Sequence, residues 1–400
     1  MTVRDELGAG WRLIVAGALG FGLGLSGVPF YSFGSFVGPL THEFGWKVAM
    51  VQGGLTASHL TTMLVMPFVG RVVDRFGARP VALASVTLYS FAFMLLSQQT
   101  GDYRLYLANW ALIGLCGTGT LAITWSRVIS GAFDKGRGLA LGLTLMGSGL
   151  FGIIAPSLAG NLIAELGWRQ AYMALGCLPL IIALPMVTWL LHPKPTEIGA
   201  STPRLGLGNA LRRPQFWMIG VSFMIIAGVV GALIPNLIKI QTSHGITAKD
   251  AAIAAGAVGL FVVTGRLACG ALMDRFWAPA VAAGFMLLPL IAALALTQSI
   301  DLLWVRVAAA AGIGMAAGAE FDLLPFLISR YFEPERFGAV LGLGSSFFYF
   351  GSSLGAMTLG ATFDMTGSYQ AGLTGCAALL VIPILALLSL GRYLPLKVET

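Results

Sequence analysis

GRVVDRFGARP, residues 70–80, and GALMDRFWAP, residues 270–279, share the pattern G-x-x-x-D-R-F at an offset of 200. That offset is half of a 400-residue chain. The same shift lays RGLALGL at Arg137 on FGAVLGL at Phe337, and Gly45 of FGWKVAM on Gly245 of HGITAKD. Three coincidences at one offset imply a duplicated chain whose halves repeat the same order of elements. Outward from each charged pattern, apolar runs of ~20 residues recur along the chain, each long enough to cross a bilayer as a helix.

Composition agrees. Hydrophobic residues make up 57% of the chain and charged residues 10%, with a mean hydropathy of +0.84. Soluble domains carry about 25% charged residues, so that class is excluded. The pattern predicts twelve helices, over Trp11–Leu40, Lys47–Val69, Val81–Leu96, Leu105–Ile129, Leu139–Ala164, Ala171–Leu191, Phe216–Ile240, Ala251–Leu272, Ala280–Leu296, Leu302–Ile328, Ala339–Phe363 and Gly372–Leu390. An even number puts both termini on one side. Most cations, among them Arg71, Arg75, Arg79, Lys135, Arg137, Arg212, Arg213, Arg330 and Arg336, fall on that side. Only Lys47, Arg104, Arg169, Lys239, Lys249 and Arg306 fall on the other. The expectation is a multi-pass protein of the cytoplasmic (inner) membrane with both termini in the cytoplasm.

The net charge of +7 is thereby read as loop cations rather than a nucleic-acid surface. The polar start MTVRDELGAGWR does not read as a cleavable signal peptide. The longest polar segment lies between the sixth and seventh runs, rich in Pro, Gly and cations. It divides the chain into an N-terminal six-helix bundle (1–191), a cytoplasmic linker (192–215) and a C-terminal six-helix bundle (216–400). Cys116, Cys177, Cys269 and Cys376 all fall within apolar runs and read as isolated thiols. No nucleotide loop, HExxH, CxxC or nucleophile elbow occurs in a sensible context, so no cofactor, metal or enzymatic activity is expected.

With these residues in view, the chain resembles the major facilitator superfamily. Gly70, Asp74, Arg75, Gly77 and Arg79 match its loop motif after the second span, with Ala78 replacing one basic residue. The resemblance implies an all-α membrane protein of twelve transmembrane helices in two pseudo-symmetric six-helix bundles. It also implies a conformational latch of acid and arginine at Gly70, Asp74, Arg75 and Arg79, repeated at Asp274 and Arg275. A narrower resemblance is to the bacterial monocarboxylate-transporter-like and oxalate/formate-antiporter-like branches. It rests on PFYSFGSFVGPLTHEFGW at Pro29, FDKGRGLALGL at Phe133, LGWRQAY at Leu166 and GRLACGALMD at Gly265. In the last stretch Arg266, Gly270 and Asp274 match R-x-x-x-G-x-x-x-D of the eighth span, where the arginine is understood to hold the substrate carboxylate. Three family features differ: Val262 stands where the eukaryotic members carry aspartate, the eleventh span has no lysine, and Trp110 lies near the superfamily's fourth-span arginine.

Charges within spans cost ~2.5–3.5 kcal/mol each and mark function by default. Arg266 is two turns inside the eighth span, ~12 Å from Asp274, where its guanidinium fork suits a carboxylate. AGAEFDLLPF, residues 317–326, places Glu320 and Asp322 in an otherwise oily run. Two residues apart, they lie ~200° apart on a helix, so one is expected to face the central path and the other a neighbouring helix. They are the candidate proton-coupling residues, with Pro325 a nearby hinge. Arg127 on the fourth span is a second candidate cation for substrate, a partner for those acids, or a snorkelling residue. Tyr31 and Asn236, which follow Pro29 and Pro235, together with Phe326 and Tyr349, complete the expected substrate-binding set. For each, helix packing is the plainer alternative, as it is for His59 and Trp125. The function expected is secondary active transport of a small organic anion, most simply proton-coupled uptake of a monocarboxylate by a monomer. The alternatives are a proton-driven exporter of amphipathic compounds, an anion exchanger, or a membrane sensor that binds without transporting.

Overall fold

A computed structural model describes residues 3–133, 137–191, 211–273, 275–298, 302–332, 337–391 and 393. The described residues form helices joined by short turns. In the N-terminal half these are α1 (Val3–Gly22), α2 (Val28–Phe44), α3 (Val48–Phe76), α4 (Ala78–Met94), α5 (Tyr103–Gly117), α6 (Ala122–Ala132), α7 (Arg137–Leu145), α8 (Gly147–Leu166), α9 (Trp168–Leu178) and α10 (Leu184–Leu190). In the C-terminal half they are α11 (Pro214–Ser243), α12 (Ala248–Met273), α13 (Ala278–Ala295), α14 (Leu303–Tyr331), α15 (Phe337–Thr366) and α16 (Gln370–Leu388).

Among the described residues, ten helical segments are long and apolar enough to cross a membrane. The two expected spans outside that count are the broken rod α1–α2 and α3, and each has a local cause. Across LGLSG (23–27) the first span is not one helix: Pro29 enters the first turn of α2 and cannot continue a ladder from α1. A Cβ on Gly27 would lie 1.6 Å from the Gly22 carbonyl oxygen, so only glycine fits this turn. α3 is a continuous helix, but Gln52, Ser58, His59, Thr61 and Thr62 lower its apolarity. The lipid-facing character of the rest is plain from Leu88, Phe91, Ile181, Ile291 and Ile382, all more than half exposed. Such a belt is incompatible with water and suits hydrocarbon.

Two further N-terminal spans depart from the single regular helices expected. The fourth breaks into α5 and α6 at Thr118–Leu121, where the Thr118 and Thr120 hydroxyls bond back to the Gly114 and Gly117 carbonyls. Such back-bonding competes with the helical ladder. The sixth passes through a π turn at Pro179–Ala183, whereas the fifth, α7 with α8, stays helical through Met146, whose N–H donates to the Gly142 carbonyl at 2.9 Å. The C-terminal spans α11 to α16 run unbroken, close to the expected bounds. The segment expected as linker falls mostly on 192–210, outside the described residues.

The halves meet along α3 against α15, α8 against α12 and α2 against α11. Call the side where α1 begins the termini side and the other the far side. On the far side the contacts form a seal. Backbone N–H groups of Val48 and Ala49 donate to the two carboxylate oxygens of Asp364, at 2.9 and 2.7 Å. Gln52 Nε2 donates to Asn236 Oδ1 at 2.9 Å, and Thr56 donates to the Ser353 carbonyl. Nearest the centre, His59 Nδ1 lies 3.3 Å from Ser352 Oγ. Across α8 and α12, Gly152 and Gly259 let the backbones touch. Toward the termini, Arg127, Leu139 and Ser329 stand exposed. The conformation is closed on the far side.

Candidate functional site

The site is built by a glycine crossing. Gly265 on α12 and Gly314 and Gly318 on α14 bring the two backbones together. At Gly318 a Cβ would lie 2.1 Å from the Val262 carbonyl oxygen and 3.0 Å from the Arg266 nitrogen. Small residues of this kind allow close helix approach in a bilayer. One turn beyond Gly318, Asp322 Oδ2 therefore sits 3.6 Å from Arg266 Nε. Arg266 is 4% exposed and Asp322 27%, so the acid is the more accessible of the two. The Phe321 ring lies 5.9 Å from the same guanidinium.

At 3.6 Å the pair is held by charge, not by a hydrogen bond. Arg266 Nε and Nη1 are buried with no hydrogen-bond partner, and so is Glu320 Oε2. Each unsatisfied buried donor or acceptor costs about 1–3 kcal/mol, more for charged groups. Arg266 is thus a buried cation with two donors left for an anion.

Glu320 is 3% exposed. Arg266 lies within electrostatic range of Glu320, Asp322 and the Tyr31 hydroxyl, and Glu320 within that range of Tyr31 and Tyr349. The two acids therefore share one arginine. Aromatic contacts run from one half to the other: Tyr31 lies edge-on to Phe30 (5.4 Å), Phe30 stands 6.2 Å from His59, and His59 6.3 Å from Tyr349. Tyr31 and His59 come from the N-terminal half, Tyr349 and Glu320 from the other.

The remaining expected residues fall elsewhere. Arg127 is exposed on α6, toward the termini. Phe326 is half-buried, with Arg330 over its ring at 5.1 Å. Asn236 is fully buried and bonded to Gln52, Ala232 and Ala356, so in this conformation it belongs to the far-side seal and not to the path. Trp125 lines no opening: it is fully buried, donating Nε1 to the Thr120 carbonyl at 2.8 Å. Of the latch residues, Gly70 faces Ile123 across the helix pair, while Arg75 and Arg275 are exposed. Arg79 donates to the Thr188 carbonyl at 2.8 Å, at the C-terminal end of α10 in its own half. The Asp74 side chain and Asp274 lie outside the described residues.

The sequence did carry a signal for the seal. Gln52, Thr56 and His59 recur at helical spacing on α3 and form one polar stripe, though none of the three stands out when taken singly. Asp364, at the end of an apolar helix, gives no such sign.

The sequence profile described as Major Facilitator Superfamily matches residues 19–356. Monocarboxylate transporter 11 of Homo sapiens is 27% identical over 424 residues, covering 96% of this chain and 84% of that protein. The uncharacterized MFS-type transporter YhjX of Escherichia coli (strain K12) is 23% identical over 326 residues, covering 78% and 80%. The crystal structure of a mutant of the nucleoside transporter NupG superposes with a TM-score of 0.80, at 12% identity, over 96% of this chain and 99% of that one. At that identity the likeness concerns the fold alone.

Proposed function

This chain belongs to the major facilitator superfamily, and on that premise we propose that it takes up a small monocarboxylate together with a proton by alternating access. The carrying observation is Arg266, buried to 4% exposure with Nε and Nη1 unbonded, opposite a partly open Asp322 at 3.6 Å. A substrate carboxylate entering the path competes with Asp322 for that guanidinium. Protonation of Asp322 releases the arginine to the substrate, and loss of the proton returns the pair. Each arrangement buries one cation against one anion, so the empty carrier and the carrier holding both proton and substrate reorient without an unpaired charge. The substrate ion alone would add a net negative charge, which is the physical reason for coupling.

Tyr31, Phe30, Tyr349 and His59 enclose the body of the substrate, and Glu320 stays behind the arginine as a second acid. Relatives that bear the name monocarboxylate transporter at 27% identity support the anion class. The excess of cations on the termini side supports cytoplasmic termini in the inner membrane. The described conformation is then inward-facing, sealed by the Asp364-to-His59 ladder, and the carrier acts as a monomer.

The test is reconstitution into liposomes containing a pH dye, with a panel of aliphatic and aromatic monocarboxylates and dicarboxylates. Saturable acidification above protein-free liposomes for monocarboxylates supports the reading. Arg266→Ala should abolish that signal and carboxylate binding together. Normal affinity in Arg266→Ala would remove the anchor and favour the exporter of amphipathic compounds.

A further inference from the structure

The N-terminal half changes character at one level. The first span is interrupted at 23–27, the fourth at 118–121 and the sixth at the π turn 179–183. Its packing divides at the same level. One apolar cluster on the far side includes Leu23, Leu55, Val86, Leu121, Ala159 and Ala183. A second, toward the termini, includes Ala16, Phe21, Val73, Ala82, Trp125 and Val187. A small third cluster, nearer still to the termini, holds Ile129, Phe133 and Ala140. In α3 and α4, which are continuous helices, the boundary still falls between Leu55 and Val73 and between Ala82 and Val86. The C-terminal half shows neither feature: its spans are unbroken, and one cluster runs from Phe216 to Leu390.

The two breaks nearest the path are pinned together. The Leu25 N–H donates to Thr120 Oγ1 at 3.0 Å, and that hydroxyl donates in turn to the Gly117 carbonyl at 2.6 Å. Trp125, immediately toward the termini, holds the Thr120 carbonyl. At this plane two helices lack their i→i−4 ladder, and no apolar cluster crosses it, so bending there costs little.

We propose that the N-terminal half is hinged at this plane. A termini-side layer of α1, α6, α7, α10 and the adjoining ends of α3 and α4 swings against a far-side layer, while the C-terminal half moves as one body. Thr120 is the pin. α6 has 11 residues and is about 16 Å long, so a bend of ~20° at the break carries its end by ~6 Å. Arg127 rides on α6, whereas Arg266 and Asp322 belong to the other half. The hinge therefore changes the separation of Arg127 from the Arg266–Asp322 pair, whichever substrate is carried.

The experiment places nitroxide pairs on the full chain in lipid nanodiscs, with the four native cysteines replaced by alanine. One pair, Leu105→Cys with Leu139→Cys, straddles the plane. The other, Leu272→Cys with Leu303→Cys, spans the C-terminal half. All four positions are 38–54% exposed. Pulsed distance measurements should give two populations, or a spread of ~6 Å, for the first pair, and one narrow distance for the second. Thr120→Val, which keeps shape and removes the pin, should shift the first distribution and leave the second unchanged. Equal widths for the two pairs would overturn the hinge and restore rigid halves. If Thr120→Val fails to fold, the two widths in the parent chain decide alone.

Discussion

Asp364→Ala removes a cap that exists only while the far side is shut. The carboxylate closes α15 in the C-terminal half and accepts two first-turn N–H groups of α3 in the other, at 2.9 and 2.7 Å. Lys47, at the N-cap of α3, supplies no side-chain cap of its own. A capping side chain at a helix N-terminus contributes about 1–2 kcal/mol, aided by the helix dipole. Because the partners lie on opposite halves, that energy is lost only from closed conformers. At 1.4 kcal/mol per tenfold, the far-side-open population should rise by about 5–30-fold. The other rungs, from Gln52 to His59, remain, so the protein should still fold. The reporter is Ala356→Cys, 1% exposed and packed into the opposite half's core, in a chain without native cysteines. Its labelling by an impermeant maleimide from the far side should accelerate by the same factor, since rapid opening makes the rate follow the open population. Asp364→Asn, which keeps one acceptor oxygen, should give a smaller increase. An unchanged rate would refute the argument. So would an equal acceleration at Ala310→Cys, buried within the C-terminal half, because that would report unfolding.

Asp322→Asn should preserve exchange of labelled monocarboxylate across liposomes while proton-driven accumulation collapses; undiminished accumulation would move coupling to Glu320. Gly318→Ala places a Cβ 2.1 Å from the Val262 carbonyl oxygen, forcing α12 and α14 apart at a cost of about 1–3 kcal/mol. A lowered Tm and lost carboxylate binding should appear together, and an unshifted Tm would contradict the crossing. Gly259→Ala meets Ile153 and Gly152 of the opposite half instead. It should speed labelling at Ala356→Cys while leaving Tm near the parent value.

The sequence made the duplication, the spans and the charged candidates legible, because a bilayer imposes length and apolarity on every crossing. It left the N-terminal breaks obscure, since an apolar run reads the same whether its helix is whole or interrupted. Pro29 and the glycines of LGLSG were visible, but the back-bonding hydroxyls of Thr118 and Thr120 become informative only once their partners are known. Asn236 shows the same limit: a polar residue after a helix proline suits a binding site and a seal equally, and its partner Gln52 is 184 positions away.

What the sequence determined alone was therefore whatever solvent dictates: an all-helical membrane chain, repeated once, with Arg266, Glu320 and Asp322 held at depth. What only the tertiary structure decided was pairing. Gly265 and Gly318 bring α12 and α14 close enough to set Asp322 against Arg266, and Asp364 finds a helix N-terminus 316 residues away. Pairing depends on distances between chain-remote atoms, and local composition carries no record of them.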